Sequence, residues 1–195
     1  MQKDIWQNWQ FEYETAMKEA AGQRKPVLLQ FHREPCSGCK KMYAVTYPAE
    51  PVYEELRRWF VLLRLDILED RQIRSQLSAV WTPSFYFLDH RGKVYFKQAG
   101  YLPPDDFRII MRLALAEYLI PRGKYIEAKK LLRDGLERFP DNPRAAALLF
   151  RIGMADYLKS WDNKIFKAHM KQLRERYPHS AEARQWPWMD ESEME

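Results

Sequence analysis

The chain holds two cysteines, Cys36 and Cys39, one helical turn apart with Ser37 and Gly38 between them. A thiolate attacks disulfides, and a second thiol at this spacing displaces the product from the resulting mixed disulfide. The same C-x-x-C spacing also serves metal ions, so the histidines matter to the reading. His32, His90, His169 and His179 do not repeat a ligand-pair spacing, and a structural zinc site normally takes four ligands. We therefore expect no resident metal. Capture of a soft thiophilic ion by the two thiolates, and a cysteine pair without redox chemistry, stay open beside disulfide exchange. Arg33, Lys40 and Lys41 add positive charge that favours a thiolate at Cys36. His32 adds to it if protonated, or else packs at the end of the preceding strand.

A second feature lies at Trp81-Thr82-Pro83-Ser84, where a proline immediately precedes strand-like sequence. A cis Thr82–Pro83 bond there would make a tight bend that exposes backbone groups; an ordinary proline opening a strand is the other reading.

The elements that must hold these residues follow from periodicity. Phe11 to Ala21 carries one helical stripe and Gly22 is expected to end it. Pro26 opens Val27-Leu28-Leu29-Gln30-Phe31, a nearly continuous apolar run of the kind found in strands buried on both faces. That strand feeds the cysteines, so Cys36 is expected at a helix start, where free amides and the helix dipole favour a thiolate. Met42, Val45, Val52, Leu56 and Trp59 predict a helix interrupted near Pro48 and Pro51. Phe60 to Leu65 predicts a second buried strand, and Asp70 to Ala79 a helix packing through Ile73 and Leu77. Ser84 to Leu88, a turn at His90-Arg91-Gly92-Lys93 and Val94 to Lys97 predict an antiparallel hairpin. The order predicts an α/β fold, a central mixed sheet flanked by helices.

Beyond Pro103-Pro104 only helical stripes appear, among them Phe107, Ile110, Met111, Ala114, Leu115 and Tyr118. Asp105 and Asp106 are expected to cap the first of these helices rather than bind metal. Leu136-Glu137-Arg138-Phe139-Pro140-Asp141-Asn142 is echoed by Leu173-Arg174-Glu175-Arg176-Tyr177-Pro178-His179-Ser180. The offset of about 38 residues marks repeated helix pairs. Tyr157, Trp161, Phe166 and Trp186 either line a peptide groove or belong to the core.

Taken together, the strand ending in Phe31, the C-x-x-C followed by Lys40, and the Thr82-Pro83 pair resemble the thioredoxin superfamily, over Trp6 to about Ile120. The resemblance implies that Cys36 attacks, Cys39 resolves, and the cis-proline loop of Thr82 and Pro83 binds the extended backbone of a substrate; next to that loop Trp81 is a candidate substrate contact, and Lys40 and Arg33 support the thiolate through their charge. Three departures bear on this. Pro35 stands where typical members have tryptophan, and Gly38 where they have proline. Gln30 occupies the position of the family's buried aspartate and cannot ionise, so resolution by Cys39 is expected to be slower or to use water. Lys40-Lys41-Met42 is similar to a thioredoxin-like branch whose members often accompany other domains.

Gly123, Tyr125, Ala128, Gly135, Leu136 and Pro140 resemble one tetratricopeptide repeat, the small Ala128 and Gly135 letting two helices approach closely. A less regular second unit has Gly153 and Pro178, but Ile165 where a small residue is expected. The organisation read from this is a thioredoxin-like domain at 1–120, an all-α tetratricopeptide-like region at 121–185 and an acidic tail at 186–195. The helical region either binds a protein partner or caps the first domain.

The net charge of +5 comes with 27 acidic residues interleaved among the basic ones. No basic stripe or binding motif points to nucleic acid. Neither a signal-peptide run nor a membrane span is evident, and the expected compartment is the cytoplasm. The leading functional reading is a thiol–disulfide oxidoreductase acting on a protein disulfide or thiol substrate. The absence of a G-x-G-x-x-G fingerprint implies no cofactor of its own, so an external reductant supplies electrons. The alternative is a non-catalytic thioredoxin-like adaptor that holds a protein partner on its helical repeats.

Overall fold

The computed structural model describes residues 5–185, so the expected tail and Trp186 lie outside the described residues. The chain forms two compact units dividing between Arg108 and Ile109. The division falls inside one helix, ahead of the 120/121 boundary suggested by the sequence.

The first unit is built on a five-stranded sheet in the order β1-β3-β2-β4-β5. Its strands are β1 (Trp9–Gln10), β2 (Val27–His32), β3 (Val61–Asp66), β4 (Ser84–Leu88) and β5 (Val94–Ala99). β3 runs parallel to both β1 and β2, whereas β4 is antiparallel to β2 and β5, giving the mixed sheet. The two-residue β1 was not foreseen; two residues are too short to show a period. The apolar run of β2 is explained by burial on both faces. Leu29 and Phe31 join Leu63, Leu65, Tyr86 and Leu88 in a core covered by helices α1 (Tyr13–Gln23) and α4 (Arg71–Gln76). On the other face, Phe85 packs on Phe107 with ring centroids 5.1 Å apart, and Phe60 on Phe87 at 5.5 Å.

Local boundaries differ from the periodicity in instructive places. Gly22 lies inside α1, and the helix ends at Arg24, which takes the left-handed conformation with φ 52° and donates its amide to the last turn. Basic Arg24 fills a role glycine usually takes. After the cysteines the chain makes α2 (Ser37–Lys41), widens into a π-helical turn at Met42–Thr46, and restarts as α3 (Glu50–Trp59) with Pro51 in its first turn. Proline at a helix start loses nothing, because that amide would have no helical partner. Helix α4 is shorter than its stripe, yet Ile73 and Leu77 do face the core.

The second unit is helical. Helix α5 (Pro104–Leu119) carries the chain into it. Asp105 and Asp106 sit in the first turn of α5 rather than at its cap, where they complement the helix dipole. Helices α6 (Tyr125–Arg138), α7 (Ala145–Ser160), α8 (Asn163–Arg176) and the short α9 (Ala181–Arg184) follow. Gly135 and Ala128 are buried, as close helix approach requires. A Cβ on Gly135 would stand 2.8 Å from Arg112 Cδ and 3.1 Å from Leu148 Cδ1. Ala146, Leu149, Phe150, Met170 and Leu173 form this unit's own core. The two echoed segments touch: the Tyr177 hydroxyl donates to the Pro140 carbonyl at 2.8 Å.

Candidate active site

Strand β2 delivers the chain to a tight turn in which the Cys36 amide donates to the Arg33 carbonyl at 3.2 Å. Cys36 is then the N-cap of α2, and its Sγ accepts from the Cys39 amide at 3.1 Å. An amide aimed at sulfur stabilises negative charge there once the pair is reduced. Cys36 and Cys39 are joined in a disulfide with their Cα atoms 5.2 Å apart. Cys36 is half-buried and Cys39 fully buried, so a partner reaches the first sulfur and not the second.

Pro83 lies against Gly38, which stands between the two cysteines in sequence. The Thr82–Pro83 peptide bond is cis. A Cβ on Gly38 would stand 2.9 Å from Pro83 Cδ, so only glycine lets α2 approach this loop without a shift. Trp81 is 66% exposed and Val80 88%, both beside the disulfide in a cleft of about 810 Å³ that Arg33, Cys36 and Thr82 also line. The cysteines, Arg33 and the Trp81-Thr82-Pro83 segment are thus brought together. Lys40 instead lines a neighbouring cleft with His32 and Arg64, and Lys41 lies over the Tyr101 ring, its Nζ 4.7 Å from the centroid. His32 is held below its ordinary titration range, first by burial and then by the Arg64 charge, against the opposing pull of Asp66. It is therefore neutral at neutral pH and adds no charge to the site.

Beneath the helix, Gln30 is wholly buried and its Oε1 accepts from the Tyr47 hydroxyl at 2.7 Å. Burial, with Tyr43 nearby, pushes the Tyr47 hydroxyl well up against the weaker pull of Arg64, which keeps Tyr47 a neutral donor. Arg64 pairs in register with Gln30 on the adjacent strand. Its guanidinium lies 4.1 Å from the Trp6 ring centroid and 5.0 Å from that of Phe11. At the position where typical members of the family carry a buried aspartate, the chain thus has the expected uncharged amide, held by a tyrosine and beside an arginine that lies over aromatic rings. Tyr47, and the close packing of Gly38 on Pro83, were missed by sequence reasoning. The i to i+5 bond from the Tyr47 amide to the Met42 carbonyl, which turns Tyr47 inward, has no signature in residue type.

In the second unit, Tyr157 meets Trp161 and Phe166, each at 5.6 Å between ring centroids. Phe166 packs on the helical core, while Trp161 is 70% exposed. Among the described residues no three His, Cys, Asp or Glu side chains gather to hold a metal ion, and no helix is long and apolar enough to cross a membrane.

A mixed sheet with C-x-x-C at the start of the helix after its central strand defines a thioredoxin-like domain, and the thioredoxin-like family model matches residues 13–115. The chain belongs to the thioredoxin-like family. A tetratricopeptide-repeat model matches residues 110–152. Among curated proteins, the chain is 27% identical over 113 residues to a chloroplastic thioredoxin-like protein, HCF164, of Oryza sativa subsp. japonica. That match takes in 57% of this chain and 43% of the relative, so the chain spans less than half the relative's length. Solved structures similar to it include a thioredoxin from Thermus thermophilus, with TM-score 0.47 and 23% identity, covering 51% of this chain and 80% of that one. A poplar thioredoxin h gives TM-score 0.43 and 24% identity over 53% of this chain and 94% of that one.

Proposed function

We propose that the protein is a thiol–disulfide oxidoreductase. In its reduced form the Cys36 thiolate attacks one sulfur of a client disulfide. A Cys36–client disulfide forms and the client's other sulfur leaves as a thiolate that takes up a proton. The Cys39 thiolate then attacks Cys36 Sγ, releases the client's remaining thiol, and closes the Cys36–Cys39 disulfide. The client gains two electrons, and an external dithiol returns two to the protein. Trp81, Thr82 and Pro83 present the client backbone, while Arg33 favours the thiolate from within the cleft and Lys40 from the neighbouring one. A reducing compartment such as the cytoplasm would keep the pair ready for this direction of flow.

The observation that carries this reading is the unequal burial of the pair, Cys36 half-buried beside an open cleft and Cys39 at 0% exposure. Trapping tests it. With insulin as the client, Cys39→Ser is expected to accumulate a mixed disulfide that Cys36→Ser does not form; equal trapping by both variants would assign the attack elsewhere.

The repeat match over residues 110–152 favours a second reading, an adaptor that holds a protein partner on its helices without turnover. It predicts partner binding unaffected by Cys36→Ser. The domain organisation belongs to both readings: a redox-type unit followed by a helical region that supplies partner contacts.

A further inference from the structure

The cleft beside the disulfide has a chemical character of its own. Its charged lining residues are Arg33 and Arg74, and no carboxylate lines it. Neither arginine forms an ion pair with a carboxylate among the described residues. Arg74 donates through Nη1 to the Ile67 carbonyl at 3.3 Å, which fixes the side chain while other guanidinium donors remain. The same cleft is lined by exposed apolar groups: Leu68, 47% exposed, together with Val80 and Trp81. Leu68 is held in place, since its amide donates to Asp66 Oδ1 at 2.7 Å and its carbonyl accepts from Arg71 Nε at 3.2 Å. The neighbouring cleft, by contrast, mixes Arg33, Lys40 and Arg64 with Glu34, Asp66, Glu69 and Asp70.

We infer that this cleft selects client disulfides flanked by acidic and apolar residues. The inference rests on the oxidoreductase reading and names the substrate class of that same site. An extended segment crossing the cleft would set apolar side chains on Leu68, Val80 and Trp81 and carboxylates on Arg33 and Arg74. Basic segments meet two cations in a cleft that no carboxylate lines. Charge at the edge of such a surface acts mainly on encounter rate and is weakened by salt.

The test uses the full chain, reduced, and two decapeptides with one central cysteine carried as the mixed disulfide with thionitrobenzoate. One has Asp, Glu and Leu flanking the cysteine, the other Lys, Arg and Leu. Attack by Cys36 releases coloured thionitrobenzoate, and Cys39 then frees the peptide thiol. We expect the acidic peptide to react about fivefold faster than the basic one at low salt. That ratio is expected to approach one at about 0.5 M salt and in the Arg33→Gln/Arg74→Gln double variant. Comparing peptides on one protein cancels any change in the Cys36 thiol itself. A ratio of one or below at low salt, or a ratio unchanged by the double substitution, overturns the proposal. A second arm measures binding of the same peptides, with serine for cysteine, to the oxidised protein. Discrimination in binding with no attack faster than by dithiothreitol would leave the charge selectivity standing and remove the oxidoreductase reading. Fast attack on both peptides without discrimination would do the reverse.

Discussion

Tyr47 and Gln30 are each the other's buried hydrogen-bond partner, so removing either strands a polar atom away from water. Tyr47→Phe is expected to lower the stability of the first unit by about 1–3 kcal/mol, read as a shifted denaturation midpoint with unchanged denaturant slope. Gly38→Ala acts through the 2.9 Å approach to Pro83. Pro83 is a ring held by the β4 entry rather than a flexible tip, so the loop or α2 must move. The expected result is a loss of about 1–3 kcal/mol together with slower client reduction. His32 gives a pH signature. Its folded form releases the proton more readily than the ordinary value of 6.5, so the unfolded chain binds the extra proton as pH falls. Its contribution is present above about pH 6.5 and is lost below it. His32→Asn is expected to flatten that part of the stability profile, measured by denaturation across the range. The cysteines and Pro83 were legible in the sequence because their residue types carry the chemistry. Tyr47, Arg74 and the packing of Gly38 were not, because their importance comes from what lies across the fold from them.

Elements read best where a period runs long enough. The apolar runs of β2, β3 and β4 located the sheet because strands buried on both faces tolerate few polar interruptions; Gln30 in β2 is tied to Tyr47, and Arg64 opposite it in β3 lies over the Trp6 and Phe11 rings. The π-helical turn at Met42–Thr46 was hidden, since a one-residue widening leaves the residue pattern nearly unchanged. In the helical unit, Asp134 accepts from Arg112 and Arg138, and Asp156 from His169 and Lys129, bonds that join different helices as well as neighbouring turns. Burial pushes both carboxyls up, but these bonds outweigh it and hold both below the usual carboxylate range. Depressed carboxylates contribute above about pH 4 and lose that contribution as pH falls further. Helical content in an acid titration should therefore collapse at a higher pH in the Lys129→Met variant than in the parent. Coincident titrations would show that the Asp156 cluster contributes nothing. Gly135→Ala offers a complementary test. Alanine gains about 1 kcal/mol in helix propensity, yet its Cβ would meet Arg112 and Leu148. Net destabilisation is expected, seen as a lower thermal midpoint.

At the scale of the whole molecule, the chain divides into two compact units within α5. A continuous helix has no turn residues to mark where one core ends and the next begins. The net charge of +5 says little by itself, because the informative charges are the two arginines beside the disulfide. Disulfide exchange requires Cys36 to be a working nucleophile, and one measurement addresses that directly. In insulin-disulfide reduction with dithiothreitol, the full chain is expected to accelerate precipitation of the insulin B chain, and Cys36→Ser to return it to the uncatalysed rate. A parent that runs no faster than its Cys36→Ser variant would contradict the oxidoreductase reading.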